Sequence, residues 1–160
     1  MQKAKPIFII LNLALLLFLF NASVIHKESL MKEGSLVFIE LAPVDPRSLM
    51  QGDYMRLSYR ISQDLPVDSI PSRGYCVIRL NQDKVAERVR VQNKQTPLFA
   101  GEHLIEYTAG KWAINIGAES YFFQEGKAEH YSKARYGGLR IDKNGNSLLV
   151  GLYDAGLKKL

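Results

Sequence analysis

From Pro6 to Ile25 the chain carries 20 residues without a charge, dominated by Ile, Leu, Phe and Val, with Asn12, Asn21 and Ser23 the only notable polar positions. At about 1.5 Å per residue such a helix spans a hydrocarbon layer of roughly 30 Å. Beyond it the apolar period becomes two. Ser35–Leu41 is a nearly continuous apolar strand, the pattern of a central strand. Met55, Leu57, Tyr59 and Ile61 share one face of the next segment, with Tyr54, Arg56, Ser58 and Arg60 on the other, which predicts a half-buried strand. Strands are also predicted at Tyr75–Leu80, at Lys84–Gln92 with Val85, Glu87, Val89 and Val91 inward, at Leu104–Tyr107 and Lys111–Ile116 around Ala109-Gly110, at Ser120–Phe123, at Arg135–Ile141 and at Ser147–Tyr153. Glu28–Gly34 is a polar juncture with room for one or two helical turns. Glu125–Ala134 is the one other segment of helical composition. Ser62–Gly74 and Asn93–Gly101 read as loops, and Asn144-Gly145 is the clearest hairpin turn. The predicted architecture is mainly β: an N-terminal transmembrane helix, then a small antiparallel β barrel or sandwich with one short helix. Residues 1–26 form the membrane anchor and 27–160 the β domain.

Cleavage after the apolar run would place Phe20 or Asn21 at the −3 position, so an uncleaved anchor is favoured over a signal peptide or a buried helix. Lys3 and Lys5 on a short tail put the N-terminus in the cytoplasm. The formal charge of +5 is spread along the chain, with no basic block carrying interleaved aromatics, which argues against nucleic-acid binding. Cys76 stands alone on an apolar face, which reads as a buried, inert thiol. His26, His103 and His130 are far apart in sequence and form no i, i+4 pair, so no metal site and no cofactor is predicted.

Candidate chemistry gathers at Val44–Tyr59. Asp45 is a helix N-cap candidate before Pro46, and Gly52 can take the positive φ that ends a single turn. Asp45, Arg47, Asp53 and Tyr54 are therefore placed on one polar corner, with Tyr59 further along the strand. A second candidate is a buried charge pair. Glu87 in register with three valines needs a partner, and Arg135 and Arg47 are the candidates.

Gly52-Asp53-Tyr54, Leu57 and Tyr59 reproduce the G-D-Y-x-x-L-x-Y signature, and the chain resembles the membrane-anchored bacterial family named after it, the GDYXXLXY proteins. Pro43–Leu49 and Ala134–Arg140 resemble that family as well. A weaker likeness links Leu49-x-x-Gly52-Asp53-x-Met55, Glu87-Arg88-Val89 and Ala134–Gly138 to type I signal peptidases. Val44 and Glu87 stand where that resemblance would place the nucleophilic serine and the lysine base, and neither can do that work. Ser48 lies nearby without an evident lysine partner.

The leading expectation is a non-catalytic, extracytoplasmic binding or accessory module, single-pass in the bacterial inner membrane with its C-terminal domain periplasmic. The family resemblance implies a polytopic membrane protein as partner. The alternatives are an envelope hydrolase or processing enzyme of the signal-peptidase type, and a secreted binding protein if the N-terminal segment is cleaved. The oligomeric state is not readable from the sequence.

Overall fold

The computed structural model describes residues 4–42, 50–51 and 54–160. Helix α1 covers Ala4–Glu33 and passes through the 26/27 boundary without a break. Its residues 7–33 are long and apolar enough to cross a membrane, and none of that apolar window is buried by the domain. The helix ends where Gly34 N–H donates to the Leu30 carbonyl at 2.9 Å. Arg140 Nη1 donates to the Gly34 carbonyl at 2.6 Å. Leu30 is buried beneath this junction. The polar juncture at Glu28–Gly34 is thus the last turns of the same helix, and they dock on the domain.

Among the described residues ten strands follow: β1 Ser35–Glu40, β2 Met50–Gln51, β3 Tyr54–Arg56, β4 Arg73–Leu80, β5 Ala86–Gln92, β6 Glu102–Ala109, β7 Ile114–Asn115, β8 Ser120–Phe122, β9 Tyr136–Ile141 and β10 Ser147–Tyr153. They form three antiparallel sheets in the orders β1-β9-β10, β2-β3-β8 and β5-β4-β6-β7. The predicted mainly β, antiparallel class holds, and the sheets pack as a sandwich and do not close into a barrel. The core takes the period-two positions of each strand: Val37 and Ile39, Cys76 and Ile78, Ile105 and Tyr107, Leu139 and Ile141. Burial of such faces, at ~25 cal/mol per Å² of apolar surface, is what holds the sheets together.

Four expectations need correction. β1 lies at the edge of its sheet, with β9 in the centre. It is nonetheless buried, because Phe38 bridges Val85 and its N–H donates to the Lys84 carbonyl at 2.9 Å, which covers the edge with the neighbouring sheet. The strand predicted through Ile61 is regular only over Tyr54–Arg56. Residues Arg60–Ser62 form a 3-10 turn, although Met55, Leu57, Tyr59 and Ile61 are all buried as predicted. The helix at Glu125–Ala134 shrinks to a single turn, α2 at Ala128–Tyr131, with no fully buried residue. Tyr131 alone ties it down, edge-on to Tyr121 at 5.2 Å.

The fourth correction concerns β5. Residues Val77 and Ile78 of β4 pair with Arg90 and Arg88, so Val89 is a bulge. A one-residue bulge interrupts the alternation of faces. Ala86 is buried, whereas Glu87 and Val89 are exposed. Arg88 takes the inward register and donates through Nη1 to the carbonyls of Ile61 and Gln63, each at 2.6 Å.

Candidate functional site

The signature residues within the described part of the chain build a wall and a floor. Leu57 is buried in the core and Tyr59 is 1% exposed. The Tyr59 hydroxyl donates to the Ala118 carbonyl at 2.7 Å. Its ring lies over Gly137, where an added Cβ would meet Tyr59 Cε1 at 2.8 Å. That contact explains a glycine inside β9: only a residue without a side chain admits the ring. Gly138 plays the same part for the Tyr153 ring. The glycine pair is therefore a seat for two tyrosines, and the bulge of this sheet lies in β10, between Leu149 and Gly151. Burial, helped by the nearby Glu119 carboxylate, raises the Tyr59 pKa far above the ordinary phenol value, so Tyr59 stays a neutral hydrogen-bond donor.

Beside this tyrosine opens a cleft of about 410 Å³. Arg56, Ser58 and Ser62 come from the signature strand and the 3-10 turn after it, and Asn115 and Glu119 from β7 and the segment leading to β8. Glu119 is held in place, since its Oε1 accepts the Ile116 N–H at 2.5 Å. Ser62 is 4% exposed, and its hydroxyl oxygen has no hydrogen-bond partner among the described residues. A buried, unpaired hydroxyl costs about 1–3 kcal/mol. Such a cost is tolerated where a ligand supplies the missing bond. The cleft thus offers a cation, a carboxylate, an amide and an unpaired hydroxyl around an apolar floor, a set suited to binding a polar ligand or peptide.

Of the polar corner, Asp45, Arg47 and Asp53 lie outside the described residues, as do Val44 and Ser48. Tyr54 is half-buried, and its ring packs on Phe122 at 5.7 Å. The inward Glu87–Arg135 pair is not formed. Both residues are exposed, and neither has a salt bridge among the described residues. The buried ion pair sits elsewhere. Glu102 accepts from Arg90 at 2.7 and 2.8 Å and from the Phe99 N–H at 3.0 Å. These bonds, chiefly the one to the Arg90 guanidinium, lower the Glu102 pKa to about 2. They fasten the loop between β5 and β6, with the Arg90 guanidinium 5.3 Å from the Phe99 ring centre. Cys76 is buried, which pushes its thiol up to about 12. His26 and His103, distant in sequence, line one groove under α1. No group of three or more potential metal ligands occurs among the described residues.

Sequence reasoning missed Ser62, Asn115 and Glu119 because they lie in a 3-10 turn, a two-residue strand and the segment before β8, which only the packing brings together. Arg56 was readable as an outward residue of the signature strand, but its neighbours come from elsewhere in the chain.

A family model described as GDYXXLXY protein matches residues 16–152. No curated protein and no solved structure matches the chain.

Proposed function

The chain belongs to the GDYXXLXY family, and from that premise we propose that it is a membrane-anchored binding module, not an enzyme. In this reading α1 stays in the mature protein as a single pass of the bacterial inner membrane, with the N-terminus cytoplasmic and the β domain periplasmic. The domain holds a polar group of a ligand, or of a polytopic membrane partner, in the cleft beside Tyr59. One observation carries the reading: the buried Ser62 hydroxyl, unpartnered among the described residues, in a cleft that also offers Arg56, Asn115 and Glu119. The reading against catalysis is supported by Glu87, which occupies the position matching a peptidase base and lies exposed on β5.

The test places a photo-crosslinking residue at Arg56 and, as a control on another sheet, at Glu87 in the full chain in its native membrane. An adduct that forms at position 56, is absent at position 87 and is diminished by Asn115→Ala is the expected result. Equal labelling at both positions, or none at 56, refutes the cleft as the binding site. A reporter fused after Leu160 tests the orientation. It is expected to be active only in a periplasm-dependent form, and activity of a cytoplasm-dependent reporter refutes the topology.

A further inference from the structure

Trp112 is the chain's one tryptophan, and at 81% exposure it stands at the tip of the β6–β7 hairpin. Soluble surfaces seldom leave such a ring unsupported. Its surroundings give it an address. On α1, residues from His26 to Glu33 share a groove with His103, at the start of β6. Lys27, closer to the apolar run, shares another with Thr108, near the end of β6. The tip-side end of β6 and its partner residue Asn115 on β7 therefore lie beside His26 and Lys27, the helix residues that follow the uncharged run. The hairpin continues from there. Ala109 pairs with Ile114, and Gly110–Ala113 form the turn beyond.

The distances agree. From Lys27 back to Ile25, where the uncharged run ends, is about 3 Å of helix rise. Two residues beyond the Ala109–Ile114 pair reach about 7 Å further at the spacing of a strand. The tip is thus within reach of the level at which α1 enters the apolar layer. The residues beside it suit a headgroup zone. Lys111 places its ammonium 5.5 Å from the Trp112 ring centre. Arg73, exposed at the start of β4, pairs with Thr108. Tryptophan with flanking Lys and Arg is the composition of a membrane–water interface anchor, with the ring among headgroups and the cations at phosphates. The acidic residues of β6, Glu102 and Glu106, are both set back from the tip.

We propose that the Gly110–Ala113 hairpin is a second membrane contact, with Trp112 seated in the lipid interface and Lys111 and Arg73 against anionic headgroups. Two attachments then fix the tilt of the domain, since α1 alone would leave it free to turn about the helix axis. Ala113 also lines the cleft beside Tyr59, so that cleft is held close to the lipid surface.

The native Trp112 is its own probe. The full chain is reconstituted into vesicles of phosphatidylcholine and phosphatidylglycerol, and flotation first establishes that it is in the bilayer. Tryptophan emission is then read with brominated acyl chains or with aqueous iodide. The proposal expects blue-shifted emission, loss of most of the signal with chains brominated near the headgroup, a smaller loss with chains brominated near the bilayer centre, and protection from iodide. In the Lys111→Glu, Arg73→Glu chain the emission is expected to shift red and become accessible to iodide. Emission from the parent chain that brominated lipid leaves intact overturns the proposal, whether or not iodide reaches the ring. A chain that fails to float overturns both the anchor and the hairpin contact, while the crosslinking test at Arg56 stands apart from either result.

Discussion

Tyr59→Phe separates a structural role of the signature tyrosine from a ligand-binding one. The hydroxyl is buried and makes one hydrogen bond, to the Ala118 carbonyl at 2.7 Å. Phenylalanine keeps the ring on Gly137 and the apolar contacts, so no cavity forms. What is lost is a net hydrogen bond, and what remains is a carbonyl without its donor. Together these are worth about 1–2 kcal/mol, a factor of roughly 5–30 in the folding equilibrium. With a urea dependence of ~2 kcal/mol per M for a domain of this size, the unfolding midpoint is expected to fall by about 0.5–1 M with unchanged slope. The assay is urea unfolding of the detergent-solubilised chain followed by the far-ultraviolet dichroism of the sheets. Gly137→Ala attacks the same contact from the other side. Its Cβ would lie 2.8 Å from the ring and 3.0 Å from the hydroxyl, an overpacking cost of about 1–3 kcal/mol. A Tyr59→Phe midpoint equal to the parent's, with the Arg56 adduct lost, would refute this reasoning. It would mean that the hydroxyl serves a ligand and not the fold.

Two further outcomes test other parts of the molecule. Ser62→Ala is expected to leave stability unchanged or raise it by up to about 1 kcal/mol, because the hydroxyl is buried without a partner; a clear fall in the thermal midpoint would reveal a bond that the geometry lacks. The Glu102 carboxyl, held to about 2 in the folded chain against an ordinary 4.5, contributes stability that is full above about 4.5 and is lost as the pH falls from there towards 2. Glu102→Gln should therefore flatten the acid limb of a stability–pH profile, and an unchanged limb would show that the Arg90 pair does not hold in solution.

Local pattern and tertiary packing divide the account between them. Twenty uncharged residues predict a helix long and apolar enough to span a membrane, because length and composition are properties of the segment itself. The buried set Met55, Leu57, Tyr59 and Ile61 was legible from its period, since the alternation of side chains along an extended chain is a property of the backbone itself. The hairpin at Asn144-Gly145 was legible too, and it closes as a turn in which Asp142 accepts from Asn144 and Asn146 while Gly145 takes a φ of +95°. These features depend on neighbours in sequence. Glu87 shows where that reading stops. Its inward place followed from strict alternation, and one bulged residue, Val89, reversed it by bringing Arg88 to the carbonyls of Ile61 and Gln63. A bulge is decided by the register between two strands, which no single strand encodes. The same holds for Gly137 and Gly138, whose reason is the rings of Tyr59 and Tyr153 arriving from other strands. It holds for the cleft, whose Arg56, Ser62, Asn115 and Glu119 come from separate elements. The sequence by itself determined most of the strands, a helix long and apolar enough to span a membrane, and the family. Only the tertiary structure decided which polar groups meet, because a contact between distant residues is set by how the sheets pack and not by any local preference.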